Sequence, residues 1–162
     1  MMEELVVTRT FNVPRVFLFK MWTDPDHLKH WWGPKGTVLK IKKLELKPEG
    51  IFLYSSTTPD GQDMWGKFVF KEISAPNLLV FTNSFSDSEG NAIRAPFHSD
   101  WPLEILNTLT FSEKEGESEF TIRGNPIGAT EEELNLFVSS FASLKQGFNG
   151  TFDQLDSYMK DL

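Results

Sequence analysis

Seven segments of the chain have patterns of apolar and polar residues that predict strands, and turn signals separate them. Residues 5–11 form the first strand-like segment, and Pro- and Gly-containing turn signals separate six more. These segments run over roughly 37–46, 50–57, 64–73, 78–86, 104–113 and 117–124. Consecutive strands with short turns predict an antiparallel sheet. The connection 87–103 exceeds about 12–15 residues, a length typical of functional loops and lids.

Helical signals occur at two places, after the first strand and at the C-terminal end. Asn12 is a predicted cap with Pro14 in the first turn, and Asp24 begins a second short helix that ends near Trp32. Thr130 begins a predicted capping box. Apolar residues then recur at helical spacing to about residue 160: Leu134, Phe137, Val138, Phe141, Leu144, Phe148, Phe152, Leu155 and Met159.

Two glycines interrupt the long C-terminal helix predicted over 130–160. Gly147 and Gly150 each cost about 1 kcal/mol relative to alanine inside a helix. A close backbone approach or a bend would explain them, and a local break in the helix is the alternative. A single amphipathic helix cannot bury its apolar stripe alone, whereas a curved antiparallel sheet wrapped around it can. The pattern therefore predicts one α+β domain over residues 1–162, with seven antiparallel strands around this helix.

Composition and charge limit the classes of function. The chain has 15 Phe and 5 Trp in 162 residues, and aromatic rings either fill cores or line ligand cavities. The net charge of −7 argues against nucleic acid or an anionic membrane as a partner. The absence of cysteine excludes disulfides, thiolate catalysis and Cys-based metal sites. An acidic start without an apolar signal core, and no apolar run near about 18 residues, predict a cytoplasmic protein.

One motif near the start carries a family resemblance. It comprises Trp22-Thr23-Asp24-Pro25, then Leu28, then Trp31-Trp32-Gly33-Pro34. Shorter matching pieces extend over nearly the whole chain: Phe11 with Pro14, Lys47-Pro48-Glu49-Gly50, Asp60-Gly61, Gly66-Lys67-Phe68, Leu79-Val80-Phe81-Thr82, and Gly147-Phe148 with Leu155. The pattern resembles the domain family named for homologues of the activator of Hsp90 ATPase. That family belongs to the START-like superfamily, and the resemblance implies its helix-grip fold.

The chain departs from the family pattern at three points. Phe148 stands where relatives often have tryptophan, and Glu49-Gly50 replaces the commoner Gly-Gly. Asn83 stands where an aromatic residue is frequent, on the predicted cavity wall. The family includes a co-chaperone domain and proteins that bind small hydrophobic or polyketide-like molecules. The resemblance therefore implies a scaffold and leaves the chemistry open.

Strand parity predicts which side chains face the C-terminal helix, and the family register supplies the inner face of 50–57. The predicted ligand-binding residues are Tyr54, Ser56, Phe68, Phe70, Phe81, Asn83, Phe85, Asn107, Leu109, Phe141, Leu144 and Phe148. A mostly apolar wall with a few polar groups is typical of a small-molecule pocket. The alternative is that these polar groups pair with one another or with ordered water. Of Trp31 and Trp32, about 100° apart on a helix, one is expected in the core and the other at the cavity mouth or surface.

Catalytic and metal signals are weak. His27 and His30 lack a third ligand, so surface positions are expected for both. The sequence neighbours His98, Ser99 and Asp100 do not by themselves make a triad. Three glutamates, Glu131, Glu132 and Glu133, are expected to be a solvated first turn that complements the helix dipole. No catalytic residue, metal site or cofactor is predicted.

The favoured function is non-catalytic binding or transport of a small hydrophobic ligand between sheet and C-terminal helix. One alternative is a co-factor of an Hsp90-type chaperone, or another protein-interaction module, which would connect the protein to a stress response. The other is a cyclase- or hydrolase-like enzyme acting on a bulky apolar substrate. The absence of a recognisable acid–base pair on the predicted inner face argues against an enzyme. The expected partner is a small apolar molecule, with a chaperone as the alternative and neither nucleic acid nor membrane.

Overall fold

Strands and short helices follow one another in the predicted order. The computed structural model describes residues 4–34 and 36–162. The strands are β1 (Leu5–Phe11), β2 (Val38–Leu44), β3 (Ile51–Thr57), β4 (Asp63–Ser74), β5 (Leu78–Ser86), β6 (Ala92–Ile93), β7 (Glu104–Lys114) and β8 (Glu117–Ile127). The helices are α1 (Arg15–Thr23), α2 (Pro25–Trp31), α3 (Glu131–Ser139) and α4 (Phe141–Lys160). Residues 1–3 and 35 of the predicted domain lie outside the described residues.

The strands form one antiparallel sheet in the order β1-β8-β7-β5-β4-β3-β2. The short strand β6, which was not predicted, pairs with β5. A tight hairpin joins β7 to β8 through Glu115 and Gly116, whose φ angles are 54° and 79°. Positive φ at both central residues defines the type I′ turn, whose twist matches the flanking strands. The α+β, helix-grip prediction is confirmed.

The two short helices begin differently. Pro14 is the N-cap of α1 and makes no side-chain cap, so the prediction that Asn12 caps this helix is wrong. Asp24 caps α2 as predicted, because its carboxylate accepts the backbone N–H of Asp26 at 2.9 Å. Trp31 ends α2, and Trp32 then adopts an extended conformation. This change of direction separates the two neighbouring tryptophans.

The C-terminal helix is divided at Ser140, which corrects the prediction of one helix over 130–160. Ser139 and Ser140 both donate their hydroxyls to the carbonyl of Leu136, at 2.9 and 2.7 Å. Such bonds compete with the backbone ladder and bend helices. The helix runs unbroken through Gly147 and Gly150, and a Cβ at either would meet nothing within 4 Å. The predicted close backbone approach at these glycines is therefore wrong.

The apolar core fills one end of the space between sheet and α4. Trp22 is almost fully buried, with its ring stacked on Phe120 at 5.4 Å and crossing that of Phe152 at 6.2 Å. Phe152, Leu155 and Met159 are buried on the second half of α4. The first half, from Phe141 to about Thr151, buries no side chain completely. The helix is thus anchored at its C-terminal half and stands away from the sheet at its N-terminal half.

Candidate ligand-binding cavity

A cavity of about 500 Å³ lies where α4 stands away from the sheet. The sheet contributes polar, aromatic and aliphatic residues from β3, β4, β5 and β7: Tyr54, Ser56, Met64, Trp65, Gly66, Asn83, Ser84, Phe85 and Ile105. The helix α4 contributes Ser143, Leu144, Gly147, Phe148 and Thr151. Loop residues complete the wall: Trp32, Gly33, Pro34, Thr37, Thr58, Trp101, Pro102 and Leu103. The volume lies in the range of about 300–1,000 Å³ typical of small-molecule sites.

Six of the twelve predicted ligand-binding residues line this cavity. They are Tyr54, Ser56, Asn83, Phe85, Leu144 and Phe148. Phe148, which stands where relatives often have tryptophan, stacks on Phe152 at 5.8 Å and so joins the cavity wall to the core. Contact between these six residues and a ligand remains a prediction.

The other six predicted residues do not line the cavity. Phe68, Phe70, Phe81 and Leu109 face inward as parity predicted, but they are at most 2% exposed because their neighbours cover them. The rings of Phe68 and Phe81 stack on each other at 4.0 Å. Phe141 packs edge-on against Phe137, with the ring centroids 5.5 Å apart, and does not line the cavity. Asn107 lies one layer behind Asn83.

The two tryptophans after Leu28 divide as predicted between core and cavity. Trp31 is 1% exposed and donates its indole N–H to the carbonyl of Met21 at 3.2 Å. Trp32 is half-buried and lines the cavity, with its ring edge-on to those of Tyr54 and Phe68. The amide of Gln154 on α4 donates to the carbonyl of Gly33 at 2.9 Å and fixes this loop to the helix.

Tyr54 is the most strongly perturbed titratable group of the cavity. Burial raises the pKa of Tyr54 to about 12, and a hydrogen bond with the Trp32 indole offsets part of this increase. Gly66 makes room for the phenol, since a Cβ on Gly66 would lie 2.7 Å from the Tyr54 oxygen. The phenol is therefore uncharged at physiological pH and serves as a hydrogen-bonding group. None of the described residues that line the cavity carries a charge.

The segment 87–103 forms one side of the cavity and is tied to α3. Trp101 is 9% exposed and its ring lies 5.8 Å from that of Phe137 on α3. Arg94 forms an ion pair with Glu133 and also donates to the carbonyl of Trp101 at 3.3 Å. In the sequence, only the length of the segment 87–103 indicated a functional loop. Trp101, Pro102 and Leu103 carry no strand or helix periodicity that would have placed them on the wall.

Glu133 is buried, which corrects the expectation of a solvated first turn. It is 5% exposed and completes the predicted capping box with Thr130, whose backbone N–H it accepts at 2.8 Å. That bond, followed by the bond from Arg94, lowers the pKa of Glu133 below its usual value. Glu131 and Glu132 are exposed as expected. The first turn of α3 is thus held by one buried carboxylate.

The remaining candidate groups lie away from the cavity. His27 is within 2.7 Å of the Tyr158 hydroxyl, and the ring of His30 stacks on that of Tyr158 at 5.0 Å. His98 accepts the backbone N–H of Asp100 at 3.0 Å in an exposed turn. Over residues 4–34 and 36–162, no three or more His, Asp or Glu side chains come together as a metal site. In the same ranges, no helix is long and apolar enough to cross a membrane.

Fold and cavity together define a helix-grip protein, in which a curved sheet and a C-terminal helix enclose an apolar space. The family model described as activator of Hsp90 ATPase homolog 1-like protein matches residues 12–160, so the chain belongs to that family. No curated protein matches the chain significantly.

Solved structures of similar proteins share the fold. The crystal structure of protein Ms6760 from Mycobacterium smegmatis is 25% identical, with a TM-score of 0.75 over 95% of this chain and 88% of that one. A solution structure from Arthrobacter aurescens is 23% identical, with a TM-score of 0.81 over 98% of this chain and 87% of that one. The AHSA1 protein from Silicibacter pomeroyi is 18% identical, with a TM-score of 0.70 over 98% of each chain. At these identities the likeness concerns the fold.

Proposed function

We propose that the protein binds a small apolar molecule in the cavity between sheet and α4 without transforming it. The observation that carries the proposal is a space of about 500 Å³ among aromatic and aliphatic side chains, inside a core that is elsewhere filled by rings. Burying apolar ligand surface there stabilises a complex by about 25 cal/mol per Å² of area removed from water. A cytoplasmic location and transport of the ligand are part of this proposal.

The lining favours binding over catalysis. General acid–base chemistry needs groups that exchange protons near the working pH. The titratable side chain among the described lining residues is Tyr54, whose pKa of about 12 keeps it protonated. Its partners are aromatic rings and the Trp32 indole, and none of them takes up a proton near neutral pH. A binding role requires no change in the protonation of these groups.

A neutral fluorescent probe tests the proposal. N-phenyl-1-naphthylamine should bind with enhanced emission, and calorimetry at several temperatures should give a negative heat-capacity change. Leu144→Trp places an indole in the cavity and should weaken binding strongly. Phe141→Trp is the matched control, because Phe141 lies on the same helix outside the lining. Absence of probe binding by the wild type, or equal binding by the two variants, would contradict the proposal.

A second candidate function is interaction with an Hsp90-type chaperone, and it rests on the family description. This role would use the surface of the domain and would not need the cavity. Calorimetric titration of the protein into a purified Hsp90 tests it directly. Binding that Leu144→Trp leaves unchanged would support the surface role, whereas no heat of binding at micromolar concentrations would remove it.

A further inference from the structure

The amide of Asn83 has a fixed orientation inside the cavity wall. Asn107 donates its Nδ2 group to the backbone carbonyl of Ile105 at 3.3 Å and to Oδ1 of Asn83 at 2.6 Å. A backbone carbonyl only accepts, so the atom of Asn107 that faces it must be the NH₂ group. Asn83 must then present its oxygen to Asn107. The orientation of both amides follows from this one fixed acceptor.

This orientation leaves the NH₂ group of Asn83 for the cavity. Asn83 lines the space, and within residues 4–34 and 36–162 its amide makes its hydrogen bond through Oδ1 alone. An amide nitrogen carries two N–H donors. Asn83 is half-buried and faces the cavity, so these donors are available to an acceptor on a bound ligand.

Tyr54 adds a second donor to the same wall. The phenol of Tyr54 lines the cavity, and its O–H group can donate a hydrogen bond. Tyr54 and Asn83 both lie on the inner face of the sheet, Tyr54 opposite Gly66 and Asn83 opposite Phe68 on the strand β4 that separates them. The hydroxyl groups of the wall can donate or accept, whereas the Asn83 amide offers donors in a fixed orientation.

We propose that the ligand is an uncharged, ring-containing molecule with a carbonyl-type oxygen, and that Asn83 is the residue that selects this oxygen. The proposal rests on the proposed function. Rings are favoured because six aromatic side chains line the space: Trp32, Tyr54, Trp65, Phe85, Trp101 and Phe148. An uncharged ligand is favoured because no described lining residue would neutralise a charge. Asn107 is a positioning residue, which acts by holding the amide of Asn83.

Fluorene and 9-fluorenone test the selection, since they share a skeleton and differ by a carbonyl oxygen. Each is titrated as a competitor of N-phenyl-1-naphthylamine, and the ratio of the two dissociation constants is compared between wild type and Asn83→Leu. Comparing this ratio between the two proteins cancels the difference in hydrophobicity between the two compounds, because that difference is the same for both proteins. The preference for fluorenone should fall by roughly three- to tenfold in Asn83→Leu, the worth of one neutral hydrogen bond. Asn107→Leu should lower the same ratio, although Asn107 does not line the cavity.

A measurement on the wild type makes the test independent of how the variants fold. The carbonyl stretch of ¹³C-labelled fluorenone should move to lower wavenumber in the complex than in cyclohexane, because hydrogen bonding weakens the C=O bond. An unshifted stretch, or an unchanged ratio in a folded Asn83→Leu, would overturn the assignment of Asn83 while fluorene and the probe still bind. Failure of the wild type to bind any of the three compounds would overturn the proposed function itself, and this inference with it.

Discussion

Gly147 lies on α4 where a side chain would enter the cavity, and its substitution tests whether that space exists. A Cβ at Gly147 would meet nothing within 4 Å, and the same is true of Gly150 one turn later. Both glycines are inside a continuous helix, so each Gly→Ala change should stabilise by about 1 kcal/mol. For a chain of this size that corresponds to a rise in Tm of roughly 2–4 °C. Differential scanning calorimetry of the two variants checks the value.

Larger side chains at the same two positions separate the cavity from the surface. Gly147 lines the cavity, whereas Gly150 lies only in the external groove beside it. Gly147→Phe should place its ring in the cavity with little loss of stability and weaken binding of N-phenyl-1-naphthylamine by about tenfold or more, equivalent to 1.4 kcal/mol. Gly150→Phe should leave binding unchanged. If the interior were close-packed, Gly147→Phe would instead destabilise by about 1–3 kcal/mol or more. That loss, or equal probe binding by the two variants, would refute the reasoning.

Three further predictions concern stability. Burial raises the pKa of Tyr54 from 10 to about 12 in the folded state, so the free energy of unfolding should fall by at most about 3 kcal/mol as pH rises through this window. Urea unfolding of Tyr54→Phe should not show this pH-dependent loss. Glu49 has a φ of 65° and forms an exposed ion pair with Lys71. Glu49→Gly should raise Tm, because it removes about 1 kcal/mol of backbone strain and loses an ion pair that contributes less than this. An unchanged or lower Tm would contradict the prediction. Arg94→Met removes the ion pair with Glu133, so it should accelerate amide hydrogen exchange in residues 94–103 and α3 but not in β8. Unchanged exchange would show that this ion pair does not fix the segment 87–103 to α3.

Local signals account for the parts of the fold that the sequence predicted. The capping box at Thr130 and the cap at Asp24 each depend on residues within three positions, so their chemistry is visible in the sequence. Strand parity works for the same reason, and Phe68, Phe81 and Leu109 face inward as predicted. The break at Ser140 also had a local signal in the pair Ser139-Ser140. The sequence pattern instead indicated a bend or break at Gly147 and Gly150, where the helix is continuous.

The cavity depends on packing between distant residues, which is why only part of it could be predicted. Parity states that Phe68, Phe81 and Asn83 face inward, but it cannot state that Phe68 and Phe81 stack and fill their own space while Asn83 borders an opening. Trp101 reaches the wall because the segment 87–103 is fixed to α3 through Arg94, a contact across 39 positions. No periodic pattern encodes such a contact.

Nuclear magnetic resonance tests the central claim most directly, because it locates a bound ligand. In ¹H–¹⁵N spectra of the wild type titrated with N-phenyl-1-naphthylamine, we predict shifts of the side-chain amide of Asn83, the indole N–H groups of Trp32 and Trp101, and the backbone amides of residues 143–151. The indole N–H resonance of Trp31, which is buried in the core, should not shift. Shifts confined to the external groove around His30 and Ser157, or no shifts at all, would contradict the claim that the protein binds small apolar molecules between its sheet and α4.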